Sequence, residues 1–324
     1  MKKYILSRFG QSVVVVFLTY TVTFLLVQLA PANAIEIRLS DPDNSIPPEQ
    51  VDALYTYYGL DRSIFYQYIV GVGRLLQGDL GFSVTTGQPV TERLLAAVPA
   101  TLQLTGSALT IALVLAFVLV TVSSLTDWYW LRSLLDLTPS LFVSVPTFWL
   151  GLIVIQFFSF QLNWFSVVET GSSGGLVFAA IALAIPVSAP IARVLDAGVH
   201  SARSEPYMNV LYTKGVSRAR AYFGHALRSA LLPALTIAGL ALGELLAGAV
   251  VIETVFARQG LGGVTERAVT GQDLPVIQGV VVLSAVVFVV VGFVSDMLYL
   301  TLDPRVRLQA RRRPKVDAIQ ETMI

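Results

Sequence analysis

Few side chains in this 324-residue chain can do chemistry, and they are unevenly placed. Glu244 is the one charge inside an otherwise uncharged stretch, Ser229–Ile252; Glu253 follows directly, and Asp296 closes a second such stretch, Leu274–Ser295. An acid in that setting can meet a cationic substrate group, relay protons, or sit hydrogen-bonded against a neighbouring helix, and the residues alone leave these open. There is no cysteine, which excludes disulfides, zinc–thiolate sites and iron–sulfur clusters, and His200 and His225 are the only histidines. None of the four lysines completes G-x-x-x-x-G-K-[ST], and H-E-x-x-H does not occur. The chain is therefore expected to hold no metal, cofactor or nucleotide of its own and to have no catalytic residue. Work across a membrane would draw on a gradient, with Glu244 central to a stand-alone secondary transporter or channel, or on a partner.

The second concentration of charge is Ser204–Pro233, SEPYMNVLYTKGVSRARAYFGHALRSALLP, a basic stretch between two apolar ones. Ser204 can cap a helix with Glu205 and Pro206 in its first turn, and Tyr207–Lys214 makes two turns. Gly215 can take the left-handed conformation that ends it. Ser217 can cap a second helix running to about Leu231, with Pro233 fixing the approach to the next span. Arg218 and Arg220 would lie in the first turn of that helix, where cations oppose the helix dipole. An acidic surface outside the helix, protein or anionic lipid, would account for them, and the spacing does not choose between the two.

These residues must be positioned by membrane helices. The chain is 55% apolar and 13% charged, with a mean hydropathy of +0.70, against about 25% charge in soluble domains. A bilayer core of about 30 Å takes about 20 apolar residues at 1.5 Å each. Phe9–Ile35, Leu94–Thr126, Leu137–Val168, Thr170–Ala192 and Leu274–Ser295 are uncharged, and Ser229–Ile252 contains only Glu244. This predicts an all-α integral membrane protein of six spans, near residues 9–30, 101–125, 137–160, 176–195, 232–255 and 275–300. Pro146 and Pro186 are expected to bend the third and fourth. Gly239 and Gly243 form a GxxxG suited to close helix approach. The first apolar run is too long for a cleaved signal and reads as a retained signal anchor.

Six spans place both termini on one side. With the termini inside, every lysine and arginine except Arg38, Arg62, Arg74, Arg93, Arg258 and Arg267 is cytoplasmic, as the positive-inside rule requires. Residues 31–98 then form an extracytoplasmic segment, too long for a bare loop and expected to fold as short helices, one near Glu49–Tyr58. The polar tail 309–324 reads as a disordered cytoplasmic end.

At Glu205, Tyr207, Lys214, Gly215, His225, Leu227, Ala230 and Pro233 the sequence resembles the coupling-loop motif of ABC importer permeases of the dipeptide, oligopeptide and nickel family, in particular the first, "B"-type, of their two paired permeases. YGLDRSIFYQYIVGVGRLLQGDLGFSVTTGQPV (58–90), SVPTFWLG (144–151), GAVVIETVFARQGLGG (248–263), QDLPVIQGVVV (272–282) and LDPRVR (302–307) resemble further family segments in the same order. The resemblance implies the type I importer transmembrane fold over residues 1–308, with the loop 203–233 docking on an ATPase. It implies a second homologous permease, two ATPase subunits carrying ATP and magnesium, an extracytoplasmic binding protein facing Gly260, Leu261 and Gly262, and no nucleic acid. The substrate would be a short peptide or a related solute such as glutathione or a nickel chelate. NVLYT at 209–213 is bulkier than the family's usual residues, so Leu211 and Tyr212 are expected to tune the fit to one ATPase.

Overall fold

The computed structural model describes residues 2–29, 47–167 and 173–302. The expected tail 309–324, the LDPRVR segment beyond Leu302 and the first part of the extracytoplasmic segment lie outside them. The described residues form twelve α-helices: α1 Lys2–Leu29, α2 Pro48–Tyr58, α3 Ile64–Leu76, α4 Val90–Leu125, α5 Tyr129–Ser144, α6 Thr147–Val154, α7 Ser173–Arg203, α8 Pro206–Thr213, α9 Arg218–Ala221, α10 Leu227–Val255, α11 Leu261–Thr270 and α12 Leu274–Leu302. Two π-helical turns, Ile155–Gln161 and Tyr222–Ala226, extend α6 and join α9 to α10.

Among the described residues five helices are long and apolar enough to cross a membrane: α1, α4, α7, α12, and α10 with its lead-in from Arg218. The sixth crossing is a bent pair. α5 and the α6 segment meet at 102°, a correction to the single kinked helix expected near 137–160. Val145 is extended (φ −100°, ψ 124°) and Pro146 begins α6. Proline pushes its predecessor out of the helical region and cannot donate its own hydrogen bond. Proline alone does not break a helix in this protein, because α7 continues through both Pro186 and Pro190. The pair still joins the two ends of the bundle. Asp136 of α5 bonds Ser123 near the end of α4, whereas Gly151 of α6 packs beside Ile252 and Val255 at the far end of α10.

Small residues hold the centre together. Ala108, Ala112 and Ala116 of α4, Ala180 and Ala184 of α7, and Ala230, Ala234 and Ala238 of α10 are buried at four-residue spacing. In lipid there is little hydrophobic drive between helices, so close van der Waals packing carries association. At Gly198 of α7 an added Cβ would stand 2.8 Å from that of Ala230 on α10, and at Gly243 it would stand 2.5 Å from the Phe288 ring of α12. The GxxxG stretch thus packs helix on helix. α1 packs on α12, where Tyr20, Phe24 and Val282 are buried together.

The cap, α2 and α3 with the loop to Pro89, sits at the end of the bundle opposite α8. Tyr68 of α3 bonds the Thr21 hydroxyl of α1 (2.8 Å), and Gln28 of α1 donates to Gln67 (2.8 Å). The Arg74 guanidinium stacks 3.6 Å over the Tyr57 ring and donates to the Tyr57 carbonyl (2.7 Å), while the Tyr57 hydroxyl donates to Asp79 (2.7 Å).

Candidate functional site

The chain leaves α7 at Arg203, turns through Ser204 and Glu205, and forms α8. Ser204 does not cap it: its hydroxyl donates back to the carbonyl of His200 (3.0 Å), and Glu205 takes the capping position without a side-chain bond. α8 ends where Gly215 adopts φ +79°, with Val216 N–H donating to Leu211 O (3.1 Å) and Gly215 N–H to Tyr212 O (3.0 Å). This paired closure needs a left-handed residue, which favours glycine. Ser217 caps α9, accepting from Arg220 N–H. The second helix is not the uniform one expected to end near Leu231. It passes through the π-helical turn into α10, and Pro233 lies inside α10 instead of at its approach.

α8 has two faces. Met208 is fully buried and Leu211 packs against the same core, with Ala221 and Tyr222 beneath. Tyr207, Val210 and Tyr212 (40%) are exposed around the rest of the helix, and Lys214 is exposed at its C-cap. Leu211, half-buried, therefore anchors the helix to its own chain with part of its side chain, and Tyr212 is the more exposed of the two. The ring of His225 lies 6.3 Å from that of Tyr207. Beneath the loop, Arg203 donates to the Ser124 carbonyl (3.0 Å) and stacks 5.6 Å over the Tyr222 ring, whose hydroxyl bonds Thr121 (2.9 Å). The residues that flank α8 are thus tied to the end of α4, Arg203 on its N-terminal side and Tyr222 beyond Gly215.

The charges differ from expectation. Arg218 forms an ion pair with Asp127 in the α4–α5 connection of the same chain. An internal partner removes the need for an outside acid at that position. Arg220, Lys214 and Arg228 are exposed. Glu244 is exposed on α10, so the reading in which it bonds a neighbouring helix of this chain does not hold.

Two acids at the cap end carry more structure than the sequence suggested. Glu253 is fully buried, accepts from Gly262 N–H (2.7 Å), and is hydrogen-bonded by Thr101, whose hydroxyl oxygen also accepts from Leu261 N–H (2.9 Å). A Cβ on Gly260 would lie 2.2 Å from the Glu253 carboxylate, and one on Gly262 would lie 2.4 Å from the Val250 carbonyl. The glycines are there because the loop rests directly on α10. Burial lowers the pKa of Arg258, and the nearby Glu253 charge opposes that shift. Asp273, 1% exposed, accepts from Ser83 Oγ (2.5 Å), Thr85 Oγ1 (2.8 Å) and Val84 N–H (3.2 Å), tying the cap to the α11–α12 corner. Among the described residues no group of three or more His, Asp or Glu converges as a metal site. Asp127, Met208 and Asp273 were missed, and Glu253 was read only as a charge beside an apolar stretch, because the partners that give them a role come from other elements of the fold. Only Met208 left a signal, its helical spacing with Leu211.

A bundle of apolar helices with a two-faced hairpin clamped at one end fits a membrane component driven by a partner, and comparison with known proteins decides the matter. Residues 129–308 match the family described as the binding-protein-dependent transport system inner membrane component, and residues 1–105 match the N-terminal part of such membrane components. The chain belongs to this family. The permease is 33% identical to the di/tripeptide transport system permease protein DppB of Pseudomonas aeruginosa, over 95% of this chain and 100% of that one. It is 32% identical to the dipeptide transport system permease protein DppB of Lactococcus lactis, over 95% and 100%. It is 28% identical to the glutathione transport system permease protein GsiC of Escherichia coli, over 95% and 99%. A crystal structure of an amino acid ABC transporter superposes with a TM-score of 0.51 at 18% identity, covering 66% of this permease and 94% of that chain, and shows the shared fold. The permease is a multi-pass transport component of an ABC importer, as its sequence motifs implied.

Proposed function

We propose that this permease forms half of the transmembrane pathway of an ATP-driven importer for short peptides, beside a second, homologous permease. The reading places both termini and α8 in the cytoplasm and the cap outside, following the distribution of lysine and arginine. The observation that carries it is the seating of α8: Met208 and Leu211 pack it on the core, Arg203 and Tyr222 tie the loop to the end of α4, and Tyr207, Val210 and Lys214 stand free for a groove on an ATPase. Two ATPase subunits would bind ATP and magnesium, and their closure would pull α8. Because the loop is tied to the end of α4 and runs on from α7 and into α10, that pull reaches the pathway. An extracytoplasmic binding protein would deliver substrate to the cap end, near Gly260–Gly262, and Glu244 would face the pathway. Peptide as the substrate follows from the relatives named for dipeptide and di/tripeptide transport.

The test is ATP hydrolysis and uptake by the reconstituted complex. Gly215→Pro, which cannot take the positive φ, and the double change Glu205→Ala with Tyr207→Ala are expected to abolish binding-protein-stimulated hydrolysis while the complex stays assembled. Hydrolysis and uptake at unaltered rates would remove α8 from the coupling role.

A further inference from the structure

At the cap end, the first turn of α4 and the outer face of α11 enclose an open groove of about 670 Å³ that the coupling reading does not use. Such a volume falls within the range of small-ligand clefts, roughly 300–1,000 Å³. Arg93 and Glu92 of α4, Arg267 of α11, and Gln88 and Gln259 line it, with Ala97 on its floor. Its frame is rigid: the buried Glu253 and the Thr101 hydroxyl hold the start of α11 onto α10 and α4.

Two of these charges suit the fold by themselves. Glu92 lies in the first turn of α4 and Arg267 in the last turn of α11, where helix dipoles favour an acid and a base respectively. Arg93 does not, since a cation in the first turn of α4 opposes that dipole. Among the described residues neither Arg93 nor Arg267 has an ion-pair partner. Two guanidiniums without ion-pair partners, one from each helix that lines the groove, offer planar forks of donors, the group that takes a carboxylate bidentately. Glu92 offers an acceptor beside them.

The geometry points to a zwitterion-binding mouth, in which Arg93 and Arg267 hold the terminal carboxylate of a peptide and Glu92 its ammonium before the peptide enters the pathway. This inference rests on the peptide reading above. It makes Arg93 and Arg267 specificity-determining residues.

The experiment is trialanine uptake into proteoliposomes holding the whole complex, driven by ATP at saturating binding protein. Arg93→Gln and Arg267→Gln are each expected to lower uptake at sub-saturating trialanine about tenfold, the loss typical of one hydrogen bond to a charged group. The lysine variants are expected to recover part of it, because they keep the charge and lose the fork. Glu266→Gln, an exposed charge change on α11 away from the groove, serves as control. Unchanged uptake in the Arg93→Gln, Arg267→Gln double variant overturns the inference. Loss of binding-protein capture or of complex assembly in that variant also overturns it, since the groove would then be a protein interface. Absence of trialanine uptake by the unsubstituted complex sinks the peptide reading itself, and the inference with it.

Discussion

Asp273 accepts a 2.5 Å hydrogen bond from the hydroxyl of Ser83, 190 positions earlier in the chain. With Thr85 Oγ1 and Val84 N–H on the same carboxylate, this buried acid is the joint between the cap and the last span. Asp273→Ala strands three donors. It is expected to lower stability by about 3 kcal/mol, with Asp273→Asn milder, since hydrogen bonds to a buried charged group contribute ~1.5–3 kcal/mol. Thermal unfolding in detergent, with proteolysis within residues 47–89, measures it. A melt unchanged by Asp273→Ala would show the joint to be idle.

Gly260 and Glu253 should be energetically coupled. Gly260→Ala alone drives a methyl into the Glu253 carboxylate and is expected to cost about 2 kcal/mol by overpacking. In a Glu253→Ala background the obstruction is gone, and the same change should cost less than half as much. A double-mutant cycle on thermal stability reads the difference, and additive costs would refute the contact.

The Arg218–Asp127 pair joins two exposed side chains, 54% and 81% accessible. Such pairs contribute about 0–1 kcal/mol and weaken with salt. Arg218→Ala and Asp127→Ala should therefore shift the melt little at low salt and not at all at high salt. A large, salt-independent loss would mean that the pair does more than close a loop. Uptake falling while the melt holds would assign Arg218 to an outside partner after all.

Alkali should loosen the cap before the spans. Burial raises the pKa of Tyr57, with the hydrogen bond to Asp79 and that acid's charge adding and Arg74 opposing. Burial also raises Tyr58, opposed by its hydrogen bond to the Phe82 carbonyl. Unfolded tyrosine titrates near 10. The stability these phenols lend is therefore whole below about pH 10 and is lost as pH rises beyond it. In a tyrosinate absorbance titration, Tyr57→Phe or Tyr58→Phe should remove signal from the last part of the curve. Signal lost near pH 10 instead would contradict the burial.

The spans were legible because an uncharged window of about 20 residues has few other uses. The α8 corner was legible because Gly215 stands where only a left-handed residue closes the helix so economically. Neither depends on distant parts of the chain. The 102° bend was not legible at Pro146, because Pro146 looks no different from Pro186 or Pro233, which sit inside continuous helices. Glu253 read as a charge at a span's outer end, yet Gly262 and Thr101 enclose it. Arg218 read as a charge in search of an outside acid because Asp127 lies 91 positions away. Local rules place elements, whereas the roles of buried and paired charges are decided by neighbours that only folding brings together.

The packing of α1 on α12 sets an order of events during biogenesis. α1 takes its partner within the bundle from α12, so roughly 270 residues must be made between Leu29 and the end of α12, about 15–55 s at ~5–20 residues per second. Until then the only described helix against α1 is α3 of the cap, through Tyr68 on Thr21 and Gln67 on Gln28. Its own apolar run, Leu6–Leu29, suits it for that wait. Tyr20 and Phe24 find Val282 only once α12 has been made. Truncation before α12 leaves α1 held by the cap alone, without its partner in the bundle, which exposes unfinished chains to membrane quality control.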